Sequence, residues 1–356
     1  MDEGHRQPTL VIRADATSEI GAGHVMRCLA LAQAWQDEGG RAVFLMARGA
    51  PGIEQKVRAE NMEARSLKSA VAALSDATET ASVAHALGAC WIVLDGYGFD
   101  QDYRYNLITR YPNVLWIDDL GTAGDCYAKM VLNSEINASD TMYLRRAPST
   151  QLLLGPQYLL LRREFHKATR RTGGVPELAR NVLVTMGGAD SDNITSRVLT
   201  YVAAIGSELD VTVVVGPANP HRRELEQQIE SLPLNVQIAV NPDLPSLMSA
   251  TDLAVSAGGG TCWELAFMGV PLVLVAVADN QEPTVREFGR RGLGLDAGGA
   301  GDLDAKRLTD LVRSAVHDPS LRRNMSERAR HLIDGRGAAR VVDSLRRCPN
   351  ATADAP

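Results

Sequence analysis

The chain has 356 residues, 45% apolar and 22% charged, with a formal net charge of −6. One hydrophobic core rarely serves so long a chain, so two domains are expected. A nucleic-acid binder would carry a basic surplus or patch, and the acidic balance with scattered arginine pairs excludes that class.

Thr9–Arg13 reads as a first strand. His24 to Glu38 reads as a helix, with Val25, Leu29, Ala32 and Trp35 on one face and Gly39 and Gly40 at its end. Strands follow at Ala42–Met46, Trp91–Leu94 and Val114–Ile117, with shorter candidates at Met130–Leu132 and Leu152–Leu154. A polar stretch with Gly173, Gly174 and Pro176 marks a linker over 167–180. Alternation then restarts: strand Val182–Thr185, helix Asn193–Ile205, strand Val211–Val215 and helix Arg222–Glu230. Strands Val236–Val240 and Leu253–Val255, helix Thr261–Met268, strand Leu272–Val277 and a helical end complete the pattern. Alternating strands and helices predict parallel sheets covered on both faces. The expected domains are two Rossmann-like halves over 9–166 and 181–348, facing each other, with a disordered tail over 349–356. Ligands of such sheets lie beyond the carboxyl ends of the strands.

Several segments at those ends carry chemistry. Gly21, Gly23 and His24 form a glycine turn at a helix start, flanked by Arg13, Asp15 and Arg27. The helix N-terminus favours anions and the neutral imidazole, so His24 can serve as a base. A turn that merely carries a histidine, with the charges as a local ion pair, is the plainer alternative. It is not a dinucleotide fingerprint, because Met26 stands where the third glycine belongs. Gly258, Gly259, Gly260 and Thr261 lead from a strand into a helix and predict a nest of N–H donors for a phosphate or diphosphate. Glu264 suits a ribose hydroxyl pair or, equally, a capping box with Thr261. Gly187 and Gly188 make a second glycine turn, for phosphate contact or for the turn alone. Asn280 and Gln281 suit sugar hydroxyls or a helix N-cap.

Asp95 with Tyr97, and Asp118 with Asp119, end two strands; caps and turns explain the carboxylates better than a metal. No metal or cofactor is expected. The five cysteines lack metal-ligand spacing, and several lie in apolar runs as buried thiols of a reducing compartment would. The polar start and the lack of an apolar run of ~20 residues predict a cytoplasmic protein without a membrane span. Oligomeric state stays open, and the fold is compatible with a monomer.

Together these motifs, with Gly155 and the segment Leu161–Phe165, resemble the nucleotide-sugar hydrolases of the pseudaminic acid pathway and their relatives in spore-coat polysaccharide synthesis. The resemblance runs from about Leu10 to Gly294. It implies the two-domain α/β GT-B fold with an interdomain cleft, shared with MurG-type glycosyltransferases. It implies His24 as the catalytic residue, Tyr97 and Asn280 at the sugar or water, and Gly258 to Glu264 as the UDP-binding loop and helix. The implied reaction is inverting hydrolysis of a UDP-linked diacetamido-trideoxy sugar. A diphosphate leaving group, with a pKa of roughly 6, needs no strong general acid, which suits the absence of a glycosidase-like carboxylate pair. A MurG-like transferase, a 2-epimerase of nucleotide sugars and a non-catalytic nucleotide-sugar sensor are the alternatives.

Overall fold

The β-branched runs form strands, and both groups of strands assemble into wholly parallel sheets. The computed structural model describes residues 7–16, 21–49, 51–121, 125–168, 174–217 and 219–348. The chain divides into two units, Met1–Arg163 with Gly335–Pro356, and Glu164–Asp334.

In the first unit, β1 (Thr9–Ala14), β2 (Arg41–Met46), β3 (Glu63–Ser66), β4 (Ala89–Asp95), β5 (Val114–Ile117), β6 (Met130–Asn133) and β7 (Gln151–Leu154) make one sheet. Their order is β3-β2-β1-β4-β5-β6-β7. Side chains alternate across it: Leu10, Ile12 and Ala14 bury on one face with helix Gly23–Asp37, while Val11 buries on the other with helices Leu74–Leu87 and Gln101–Arg110. Burying each large aliphatic side chain contributes roughly 1.5–3 kcal/mol. The helix Gly23–Asp37 ends where Trp35 closes over Gly40, and the Trp35 indole N–H donates to the Pro8 carbonyl at 3.0 Å.

In the second unit, β8 (Asn181–Thr185), β9 (Asp210–Val215), β10 (Asn235–Val240), β11 (Leu253–Ala257), β12 (Leu272–Ala276) and β13 (Leu295–Gly299) run in the order β10-β9-β8-β11-β12-β13. Numbered within the unit this is 3-2-1-4-5-6, the doubly wound order. Val182, Val184, Val211 and Val213 pack with helices Ile194–Ala203 and Ala305–His317 on one face.

The boundaries differ from the sequence expectation in two places. The first unit ends at Arg163, and helix Gly337–Arg347 belongs to it rather than to the second. The reason is burial: Ala338, Val341, Val342 and Leu345 join Leu10, Trp35 and Trp91 in one core, and the Trp91 indole donates to the Leu345 carbonyl at 3.1 Å. Within the expected linker, residues 169–173 lie outside the described residues. Pro176 and Glu177 are held by the fully buried Arg322, which donates to both of their carbonyls. The expected tail over 349–356 also lies outside the described residues.

Candidate active site

A parallel sheet of this order opens a crevice where neighbouring strands send their connections to opposite faces, and ligands bind there. In the first unit that point lies between the carboxyl ends of β1 and β4. Gly21, with φ +76°, turns the chain into the helix that starts at Gly23, a conformation an L side chain resists. No side chain caps this helix start. His24 sits in its first turn, 7% exposed, and Arg27 lies three residues on.

Arg27 forms the local ion pair that the sequence offered as the plainer alternative. Its Nε and Nη2 each donate to Asp95 at 2.6 Å, and Nη1 donates to both Asp119 oxygens at 2.6 and 2.7 Å. Asp95, at the end of β4, is fully buried. Burial opposes the charge on Arg27, but the two carboxylates outweigh it and push its pKa up. Burial likewise opposes ionisation of Asp119, and the opposing charge and hydrogen bonds of Arg27, with the Tyr97 hydroxyl, still hold its carboxyl below the ordinary value. Tyr97 donates to Asp119 Oδ2 at 2.9 Å, and its ring meets His24 edge-on, centroids 4.6 Å apart and planes at 80°. Burial, then the Asp95 charge, raises the neighbouring Cys28 thiol, which excludes it as a ready nucleophile.

Asp95 and Asp119, for which the sequence favoured caps and turns, instead pair with Arg27. The signal was their position at the end of β4 and just past β5. Asp118 does serve a turn: it accepts from the Leu120 and Gly121 amides and the Tyr143 hydroxyl.

Arg13 and Asp15 form a second ion pair. Arg13 is fully buried, with Nε and Nη2 on Asp76 at 2.9 and 2.6 Å and Nη2 also 2.8 Å from Asp15. Asp76 further accepts from Tyr103, Thr80 and the Ala72 amide, and Asp15 from the Ala47 and Arg48 amides. A buried ion cluster beneath the site spends these donors on the ends of β1 and β2 and the start of helix Leu74–Leu87.

In the second unit the switch point lies between β8 and β11. Gly187 and Gly188 leave β8, and the Gly188 backbone lies so near β9 that a Cβ on Gly216 would stand 2.1 Å from its oxygen. Beyond β11, Gly258 cannot carry a side chain, since a Cβ would meet Val285 Cγ2 at 2.5 Å. Gly259 is the N-cap of helix Gly260–Met268 and offers no side-chain cap, while a Cβ on Gly260 would face open space. Amide donors are left toward that space. Thr261 lies inside the helix, so it is not a cap, and the capping-box reading of Glu264 falls. Glu264 is half-buried on the following turn. Asn280 is exposed in the turn Asp279–Gln281 after β12. Gln281 braces the glycine turn: its Oε1 accepts from the Gly258 and Val277 amides, both at 3.1 Å.

Residues 181–335 match the Glycosyltransferase family 28 C-terminal domain. The structure is similar to that of MurG from Acinetobacter baumannii, with a TM-score of 0.63 at 17% identity, covering 96% of this chain and all of that one. This is the two-domain GT-B fold. The spore coat polysaccharide biosynthesis protein SpsG of Bacillus subtilis is 31% identical over 201 residues, 55% of this chain and 58% of SpsG. An uncharacterised protein of Methanocaldococcus jannaschii is 23% identical over 273 residues, 75% of this chain and 55% of that protein. The chain spans little more than half the length of these two relatives.

The resemblance to the hydrolases is corrected by these matches. A UDP-2,4-diacetamido-2,4,6-trideoxy-beta-L-altropyranose hydrolase of Campylobacter jejuni is 22% identical over 290 residues, 80% of this chain and 97% of that protein. Against it stand the higher identity to SpsG and the match of residues 181–335 to the Glycosyltransferase family 28 C-terminal domain. Hydrolysis and the pseudaminic acid pathway are set aside on that ground. No helix among the described residues is long and apolar enough to cross a membrane.

Proposed function

We propose that the chain is a glycosyltransferase that uses a UDP-sugar donor. The match of residues 181–335 to the Glycosyltransferase family 28 C-terminal domain carries this reading, with the glycine-lined helix start at that domain's switch point in support. Amides at Gly259, Gly260 and Thr261 receive the diphosphate, whose developing charge the helix N-terminus stabilises. Glu264 takes the ribose hydroxyls, and Asn280 the donor sugar. The acceptor's hydroxyl oxygen attacks the anomeric carbon and forms the new C–O bond. The bond to the diphosphate oxygen breaks, and its electron pair leaves with UDP. His24 takes the hydroxyl proton as general base. Because UDP leaves as an anion, no second side chain needs to protonate it.

The test is a panel of UDP-sugars, each incubated with and without candidate saccharide or polyol acceptors, scored for free UDP and for glycosylated product. UDP release that depends on acceptor and matches product mole for mole is expected. Equal release without acceptor, or none with any pair, overturns the proposal.

A further inference from the structure

We propose that Asp119 is a positioning residue for His24, acting through Tyr97, with Arg27 as its anchor. The inference rests on the transferase reading for the role of His24, but its geometry stands on the first unit alone.

No described residue hydrogen-bonds either ring nitrogen of His24. A base is usually oriented by a third group bonded to one of its nitrogens. Here the imidazole is buried, and its recorded ring contact is the edge-on approach of Tyr97. Tyr97 itself is 53% exposed, and the charge-assisted bond from its hydroxyl to Asp119 restrains its ring. Asp119 lies beyond the end of β5 and is fixed in turn, because one Arg27 nitrogen grips both its oxygens. The other two Arg27 nitrogens are locked on buried Asp95. Arg27 and His24 share one helical turn, so the contacts close a ring: helix to β4, helix to β5, β5 to Tyr97, Tyr97 back to the helix. Each link is a short, directed contact, and the loop leaves the His24 nitrogens to substrate.

Two variants of the full chain test this. Tyr97→Phe keeps the ring and the Arg27–Asp119 pair and removes the hydroxyl that bonds Asp119. Asp119→Ala removes the anchor. The His24 ring resonances are read by NMR in histidine-labelled protein, kcat and the donor KM in the transfer assay, and UDP affinity by calorimetry. Both variants are expected to move the His24 resonances and to lower kcat about tenfold to a hundredfold, the scale of a misplaced catalytic group. Donor KM and UDP affinity stay within error. Tyr97→Phe with unchanged His24 resonances and unchanged kcat overturns the proposal, whether or not Asp119→Ala folds. A fall in UDP affinity equal to the fall in kcat also overturns it, since the effect would then be general damage. If the parent transfers no sugar, the transferase reading fails, while the His24 resonances still decide whether Asp119 orients the ring.

Discussion

At the switch point of the first sheet, between β1 and β4, charged and aromatic side chains meet: His24, Arg27, Asp95, Tyr97 and Asp119. At the switch point of the second, between β8 and β11, Gly187, Gly188 and Gly258 to Gly260 keep side chains away, and Gly259 and Gly260 leave backbone amides. The strand order is the same through six strands, so topology alone makes a crevice and the residue types decide its use. Backbone donors suit a polyanion that any nucleotide carries. Side chains locked in ion pairs suit a group that must be held at one angle.

The sharpest way to break this division of labour is His24→Ala. Turnover should fall about 10²- to 10⁴-fold, the range of general-base catalysis, while UDP affinity measured by calorimetry is unchanged. Loss of both together would show that the two crevices do not separate binding from chemistry. Next in size is Arg13→Met. It strands the buried Asp76 carboxylate, and urea unfolding should show about 3–5 kcal/mol less stability. A loss below about 1 kcal/mol would place the cluster among weak ion pairs. Gly260→Asp has room for its side chain but sets a carboxylate at the helix start. UDP binding should weaken about tenfold, or 1.4 kcal/mol, with the thermal midpoint nearly unmoved. Unaltered affinity would mean the amides there do not meet phosphate. The smallest effect is a pH dependence at Asp119. Its folded pKa is depressed, so its contribution is present above the unfolded value and lost as pH falls through the folded one. The stability gap between the parent and Asp119→Asn should persist from neutral pH to about pH 5 and close only below about pH 4. A gap that widened in acid would contradict the ion-pair account.

Much of the scaffold is readable from residue pattern. Runs such as Val182–Thr185 and Leu272–Ala276 are buried on both faces, so they are continuously apolar and stand out. β3, Glu63–Ser66, escaped because an edge strand with a partly exposed face can be mostly polar, here with Ala64 alone packing on the core. β13, Leu295–Gly299, escaped because glycines interrupt it. The glycine turns and His24 were legible because their residue types have few other reasons to occur at strand ends. Which charges pair with which was not. Arg13 and Arg27 look alike in sequence, and only the distant partners Asp76, Asp95 and Asp119 reveal that both are spent inside the protein. Pairings across 63 to 92 residues leave no local trace.

The return of helix Gly337–Arg347 to the first core has a consequence for how the chain is made. The second unit is one continuous stretch set within the first, so a ribosome finishes it earlier. Until Ala338 to Leu345 emerge, the faces of Leu10, Trp35 and Trp91 that they cover stay open to water. The unit begun first is therefore completed last. A chain that has emerged from the ribosome only as far as residue 335 would hold a finished second unit and an unsealed first one, the state in which chaperones would be expected to engage it.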